Sequence, residues 1–290
     1  MFKKLSFFLY KTLFFIDFIL KKITKRSFLI WFKDFLEEDA YKKISSNVQI
    51  KLFTPNYLTS WLADDFFKKE PETIEWIDSF KNFRLKKIIF WDIGSNIGVY
   101  SIYAGKKYKN IEVISFEPST SNLRILSRNI SINNLEKKIK IFQIPLGSNQ
   151  HSFETFRESK FGEGESLNSY AMNLDFEGKK LKVVNKYKIY GSNINQLIND
   201  KVVDIPNFVK IDVDGLEHLI LKGSSSILKS KNLKSVSIEL NENYRKQFRE
   251  AINIMKKFGF KKIVKKRNEN FPLYKYKKFR YIFNYYFERN

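Results

Sequence analysis

The chain has 290 residues, and its 53 Lys and Arg against 31 Asp and Glu give a formal charge of +22. With no cysteine and two histidines, it can form no disulfide, thiolate metal site, iron–sulfur cluster, cysteine nucleophile or histidine-rich metal centre. The length suits one large domain with an appendage. The charge suits an anionic partner such as nucleic acid, anionic lipid or a phosphorylated glycan, although a composition rich in Lys, Asn, Ile and Phe gives the same excess by bias alone.

Met1 to Lys22 carries apolar residues at helical spacing, with Leu5, Phe8, Leu9, Leu13, Ile16, Ile19 and Leu20 on a stripe that Phe7, Phe14, Phe15 and Phe18 widen. Lys11 and Asp17 interrupt it, so the apolar run is too short to cross a bilayer, and a small-residue cleavage site is missing. The expectation is a helix lying in an anionic membrane interface, bracketed by Lys3, Lys4, Lys21 and Lys22, or one packed on the domain. A second helical region is expected over 25–51, ending near Ser45 and Ser46, with a short strand at Gln49–Phe53. After a turn at Thr54-Pro55-Asn56, helices are predicted at Tyr57–Phe67 and Glu72–Phe83, with Pro71 beside the start of the second. Residues 1–83 are thus read as an N-terminal helical extension that caps the main domain or begins its sheet, with Trp61 and Trp76 read as core.

From Ile88 to Ser119 the sequence reads IIFWDIGSNIGVYSIYAGKKYKNIEVISFEPS. An apolar run without polar alternation, ended by Asp92, suits a strand buried on both faces. Gly94, Asn96 and Gly98 follow at alternate positions, then a helix over Val99–Lys107 and a second strand over Ile111–Phe116 that ends in Glu117 and Pro118. Strand, glycine turn, helix, strand and acid make a βαβ unit that cradles a nucleotide. Gly94 permits a tight turn and close approach to a ligand. The helix start offers free N–H groups. Glu117 is placed to accept from both ribose hydroxyls, and Asp92 to reach a ligand ammonium. The pattern is D-x-G-x-N-x-G, with Asn96 where a middle glycine would admit a pyrophosphate. That disfavours a dinucleotide and favours S-adenosylmethionine, held by Asp92, Gly94, Ser95, Asn96, Gly98, Glu117 and Pro118.

Farther on, Ser119 or Ser121 can cap a helix to Asn133, and Ile139–Pro145 reads as the third strand. Residues 152–207 read as an insertion that shapes the acceptor pocket, with alternating strands at Ser152–Arg157 and Leu181–Ile189 and a short helix from Asn193 to Leu197. Phe208–Ile211 is the fourth strand, with Asp212 at its carboxyl end. A helix over Leu216–Lys229 follows, then a fifth strand at Val236–Leu240, a helix over Tyr244–Phe258 closed by Gly259, and two edge strands, Lys261–Lys266 and Tyr281–Glu288, expected to pair antiparallel.

The string DIGSNIGVYS, the FEPS that follows, the Asn-bearing helix (Asn122, Asn129, Asn133, Asn134), LGS at Leu146–Ser148, KIDVDGLEHLILKG at Lys210–Gly223, IEL at Ile238–Leu240 and NYYFER at Asn284–Arg289 together resemble the FkbM family of methyltransferases. The resemblance covers roughly two-thirds of the chain, from Ile88 on. It implies an α/β fold, a doubly wound, mostly parallel seven-stranded sheet of the class I methyltransferase type over residues 84–290. It also implies S-adenosylmethionine as cofactor and O-methylation of a hydroxyl on a glycan or small metabolite. The family usually carries aspartate where Asn195 stands, which removes catalytic weight from that position.

Methyl transfer needs an acceptor oxygen aligned with the methyl group and relieved of its proton. Asp212 is the first candidate for the base and Glu239 the second, since both sit at carboxyl ends of strands flanking the cofactor. Asp214, Glu217 and His218 lie close by, His218 being read as a surface group. Asp212 and Asp214 could hold magnesium, but nothing in their spacing requires it, and no metal is assigned. The place after the fourth strand reads DVDG rather than an N-P-P-Y-like tetrapeptide, which points to a hydroxyl acceptor and not a nucleobase amine. Nucleic acid is accordingly not expected as a partner, and the location expected is cytoplasmic, peripheral on the inner membrane face if the N-terminal helix binds lipid. Competing readings are an RNA ribose 2′-O-methyltransferase, which would use the basic charge, a NAD(P)-dependent oxidoreductase, which Asn96 disfavours, and a non-enzymatic membrane-surface scaffold.

Overall fold

A computed structural model describes residues 1–45 and 48–289. Ser46, where the second helical region was expected to end, lies outside them. Helix α1 (Phe2–Thr24) turns at Lys25, whose φ of 62° is left-handed, into α2 (Phe28–Glu38). Where helix was expected to continue, β1 (Tyr41–Ser45) pairs antiparallel with β2 (Gln49–Phe53) as a separate two-stranded sheet. Helices at Tyr57–Asp64, Phe66–Lys69 and Pro71–Asp78 follow, the first opened by a reciprocal capping box between Asn56 and Thr59.

The central sheet uses β3 (Ile88–Ile93), β4 (Ile111–Phe116), β5 (Ile139–Phe142), then, after an inserted three-stranded sheet of β6 (Ser152–Glu158), β7 (Asn168–Tyr170) and β8 (Asn185–Gly191), β9 (Phe208–Ile211), β10 (Ser235–Asn241), β11 (Lys262–Lys266) and β12 (Ile282–Glu288). Its order is β11-β12-β10-β9-β3-β4-β5. The five strands from β10 to β5 are parallel, and β12 runs antiparallel to both β10 and β11, as the edge reading expected. Strand order reverses between β3 and β9, so the carboxyl ends of those strands flank the crevice where open α/β sheets place their ligands. The helix expected over Leu216–Lys229 is two helices, Glu217–Lys222 and Ser225–Lys229. Gly223 breaks it, and a Cβ there would come within 2.5 Å of the Gly147 carbonyl oxygen.

Successive residues of β3 face opposite sides. Trp91 and Ile93 join Val209, Ile238, Leu240, Ala251 and Met255 on one face. Phe90 joins Ile50, Leu52, Trp76, Phe80, Phe208 and Tyr286 on the other. Phe80 lies flat on Phe208, with ring centroids 3.7 Å apart. The expected boundary at residue 83 therefore runs through one core: residues 50–80 are a packing layer of the sheet. Only α1 and α2 stand outside it, and of their side chains Asp17 alone is buried.

Candidate active site

A cavity of about 440 Å³ opens at the carboxyl ends of β3, β4, β9 and β10. The loop after β3 supplies Gly94, Ser95 and Asn96 to its wall, and the loop after β4 supplies Glu117 and Pro118. Gly94 has a φ of 81°, and a Cβ there would fall 1.8 Å from the Asp212 carbonyl oxygen, so glycine is what lets the loops after β3 and β9 touch. Asn96, at a φ of 51°, takes the left-handed conformation that a short amide side chain tolerates. Its N–H donates to Glu117 Oε2 (2.7 Å) while the Ser119 N–H donates to Oε1 (2.9 Å). Burial pushes the Glu117 carboxyl up to about 7 in spite of these two donors.

Two expected cofactor residues stand off the cavity wall. Asp92 is fully buried inside β3, beneath the cavity, where it accepts from Ser101 Oγ (2.6 Å) and lies in register with Lys210 of β9. Strand register sets that depth, and Asp92 Oδ1 has no hydrogen-bond partner among the described residues. Gly98 caps the following helix at a φ of 82°, and a Cβ there would strike Leu126 Cδ1 at 2.3 Å. Its requirement is packing.

Asp212 and Glu239 both line the cavity, and with Glu70 they form a cluster whose carboxylate oxygens lie within 4.8 Å of one another. That spacing would suit a divalent cation, but two ammonium groups already supply positive charge. Lys210 Nζ is 2.7 Å from Asp212 Oδ2, and Lys69 Nζ is 2.8 Å from Glu70 Oε1. Burial disfavours both charges of each pair; the carboxylates around Lys210 outweigh it and hold the ammonium above its ordinary range. Glu70 is held low because Lys69 and Lys210 outweigh its burial. Glu239 is driven well above the usual carboxylate range by burial, then by the charges of Asp212 and Glu70. Tyr100 and Tyr274 close the group, with Lys210 Nζ 4.9 Å from the Tyr100 ring centroid. Asp214, pushed up to about 6 by burial and by Asp212, accepts from the Leu167 N–H at 2.7 Å and so belongs to the cavity roof.

That roof is the loop between β6 and β7. Asn96 Nδ2 donates to the Gly164 and Glu165 carbonyls (3.3 and 3.1 Å), and Asn122 both donates to the Glu165 carbonyl (3.0 Å) and accepts from the Gly164 N–H (2.8 Å). The remaining acids near the fourth strand have other work. Glu217 is buried and accepts from the Val213 and Gly215 N–H groups at 3.0 and 3.2 Å, fixing the DVDG loop. His218 is buried rather than a surface group, and burial lowers it to about 4. Asn195 accepts from the Ser226 N–H at 2.7 Å and pins a helix, away from the cavity. Trp76 is core, donating to Ser235 Oγ at 2.9 Å, whereas Trp61 lines the cavity.

Lys69, Glu70, Tyr100, Lys210 and Tyr274 were not foreseen as site residues. Lys210 carried a readable signal, a lysine inside the apolar run FVKI. Glu70 and Tyr274 reach the cluster only through the tertiary fold.

A seven-stranded sheet with this order, one antiparallel strand next to its edge and an acid-bearing cavity at the switch point define a class I methyltransferase fold. The methyltransferase FkbM domain matches residues 92–262, and the chain belongs to that family. Among curated proteins it is similar to the methyltransferase sdnD of Sordaria araneosa, 26% identical over an alignment of 157 positions that covers 46% of this chain and 58% of that protein. It is also similar to the hexuronic acid methyltransferase AglP of Haloferax volcanii, 28% identical over an alignment of 158 positions that covers 52% of this chain and 55% of that one. The chain thus matches little more than half the length of these relatives. Among solved structures, the methyltransferase domain of METTL16 aligns over 88% of each chain at 11% identity with a TM-score of 0.48.

Proposed function

We propose that the protein is an S-adenosylmethionine-dependent O-methyltransferase acting on a hydroxyl of a glycan or small metabolite. The observation that carries this reading is the charge of the cavity. In a chain of net charge +22, the residues lining the cavity include seven carboxylates (Asp65, Glu70, Glu117, Glu165, Asp212, Asp214 and Glu239) and four lysines (Lys69, Lys160, Lys210 and Lys278). Two of the lysines are tied to Glu70 and Asp212. An acidic, partly desolvated cavity favours a cofactor that carries a sulfonium and an ammonium, and repels a pyrophosphate or an RNA backbone.

Gly94, Ser95, Asn96, Glu117 and Pro118 would hold that cofactor, which when bound supplies an electrophilic methyl group. Glu117, once ionised, accepts hydrogen bonds from vicinal hydroxyls, and the Asn96 and Ser119 N–H groups fix its orientation. Asp212, held 2.7 Å from Lys210 Nζ, receives the acceptor hydroxyl's proton. Glu239, whose carboxyl is driven upward by burial, offers a donor while protonated or a second base once ionised. The β6–β7 loop excludes water from above.

The test is calorimetric titration of the full chain with S-adenosylhomocysteine and, separately, with NAD. Binding of the first in the micromolar range and none of the second is expected; the reverse preference would sink the reading. Because Glu117 sits near neutrality, binding at pH 6.5 should release a proton, seen as an enthalpy that changes with the buffer's ionisation heat.

A further inference from the structure

The molecule has one region whose chemistry the cavity does not use, the helical hairpin of α1 and α2. We infer that it is a docking device for an anionic lipid bilayer, with α1 lying in the plane of the headgroups. In α1, Phe8 is 68% exposed and Phe15 63%; in α2, Trp31 is 65% exposed and Phe35 60%. Such side chains clustered on two adjoining helices form an apolar surface far beyond the scattered exposure of ordinary proteins.

Charge decides the occupant. The hairpin, residues 2–38, has eight basic side chains and four acids, Asp34, Glu37 and Glu38 on α2 and Asp17 alone on α1. The fold withdraws that acid: Asp17 is buried in the hairpin turn, accepting from Ser27 Oγ (2.8 Å) and from the N–H groups of Phe28 (2.7 Å) and Leu29 (3.2 Å), where it caps α2. The solvent-facing surface of α1 is therefore apolar and cationic only, whereas α2 exposes Asp34 and Glu38 and ties Glu37 to Arg124. Pairing α1 with the α1 of a second copy would set like charges together; a bilayer with anionic headgroups matches both the apolar and the cationic character of α1.

Helix geometry sets the orientation. Lys4, Lys11 and Lys22 are spaced by about two and three turns and share one line along α1, while Lys3 and Lys21, about five turns apart, share a second line about 100° away. Lys11 and Lys22 fold back over Phe7 and Phe18, at 5.4 and 4.4 Å from the ring centroids. A lysine edge facing headgroups over a wide apolar face suits a helix parallel to the surface. No described helix is long and apolar enough to cross a membrane. At the root of the hairpin, Arg124 bridges Glu37 of α2 to Glu163 of the cavity roof. The bilayer would thus lie beside the cavity, a placement that rests on the reading of the cavity above, whereas lipid binding itself does not.

The experiment is flotation of the full chain with vesicles of phosphatidylcholine alone and of phosphatidylcholine with phosphatidylglycerol, beside titration with S-adenosylhomocysteine and a measurement of mass in solution. The wild type should float with the anionic vesicles at least about tenfold more tightly than with neutral ones. The double variant Phe8→Glu/Phe15→Glu should lose that binding while keeping its melting temperature and cofactor-product affinity, and restoring leucine at both positions should recover it. Failure of the wild type to float with anionic vesicles, equal binding by the glutamate variant, or a wild-type dimer that the variant dissociates without any lipid binding would each overturn the inference.

Discussion

The cavity and the hairpin break the rule of burial in opposite directions. Around the cavity the fold places charge inside: Glu70 is fully buried and Lys210 is 2% exposed. In the hairpin it places large apolar side chains outside. The two departures have different signatures. The buried charges are matched pairwise, Lys69 with Glu70 and Lys210 with Asp212, and so hold one another in place. The exposed apolar residues of α1 meet neighbours on their own helix, Phe7 and Phe14 against Tyr10 and Lys11 over Phe7, yet stay open to solvent, so that surface adds little to stability. A buried ionic network is part of the fold and also shapes the chemistry; an exposed apolar hairpin is separable from both. Substitutions in the two regions should therefore report in different currencies.

The largest expected effect is at Lys210. Lys210→Met removes the cation that faces Asp212, Asp92 and Glu70 and leaves those carboxylates crowded and desolvated. Breaking one side of a buried pair costs about 3–5 kcal/mol, read as a lowered urea midpoint at unchanged slope. A loss below about 1 kcal/mol would show that the network is solvated and would erase the contrast with the hairpin.

Asp212→Asn keeps the shape and removes the base. Methyl transfer should fall by about 10²-fold or more, with cofactor-product affinity mildly changed. Near-normal turnover at neutral pH would move the role to Glu239. Because Glu239 is raised well above the ordinary range, a reaction that depends on its carboxylate would climb with pH.

Glu117 separates function from stability within the cavity itself. Its carboxyl is raised to about 7 in the folded protein, above the 4.5 of a free glutamic acid, so between those values the native state holds a proton that the unfolded chain has lost. Stability is then highest below the lower value and declines as pH rises through the higher one. Glu117→Gln should raise the unfolding free energy by about 1–2 kcal/mol at pH 8, after allowing for one lost acceptor, and flatten the pH dependence. The same variant should weaken S-adenosylhomocysteine binding about tenfold or more, since a charge-assisted bond to a hydroxyl is worth about 1.5–3 kcal/mol. Unchanged affinity would remove Glu117 from the site.

What the sequence disclosed follows the range of the interactions involved. In the unit from Ile88 to Phe116 the helix Val99–Lys107 and the strand Ile111–Phe116 were readable to the residue, because apolar runs, glycines and a terminal acid are local signals, while the first strand runs through Asp92 to Ile93 and not only to Trp91. The antiparallel edge pair and the capping of Ile194–Asn199 by Asn193 were readable for the same reason. β1 was read as helix because YKKIS carries no strict alternation, and its strand character comes from pairing with β2. Asp92 was placed too high because only the register with Lys210 fixes its depth. Glu70 and Tyr274 were out of reach because about 200 residues separate them and no local pattern marks residues that only the closed fold brings together.

The smallest expected effect is the sharpest test of the contrast. A phenylalanine in the core and one in the hairpin are the same side chain, so their truncation differs only in what surrounds them. Phe80 is fully buried, stacked on Phe208 and set edge-on to Trp76. Phe80→Ala removes that contact, leaves a cavity and should cost about 3–5 kcal/mol. Phe8, mostly exposed on α1, loses little contact with protein on truncation and trades an aromatic for a better helix former, so Phe8→Ala should change stability by no more than about 0.5 kcal/mol in either direction. Chemical denaturation of both variants beside the wild type, without lipid, measures the pair directly. A loss at Phe8 approaching that at Phe80 would mean that the hairpin packs on this chain or on a second copy, and its apolar surface would then belong to the fold and not to a membrane.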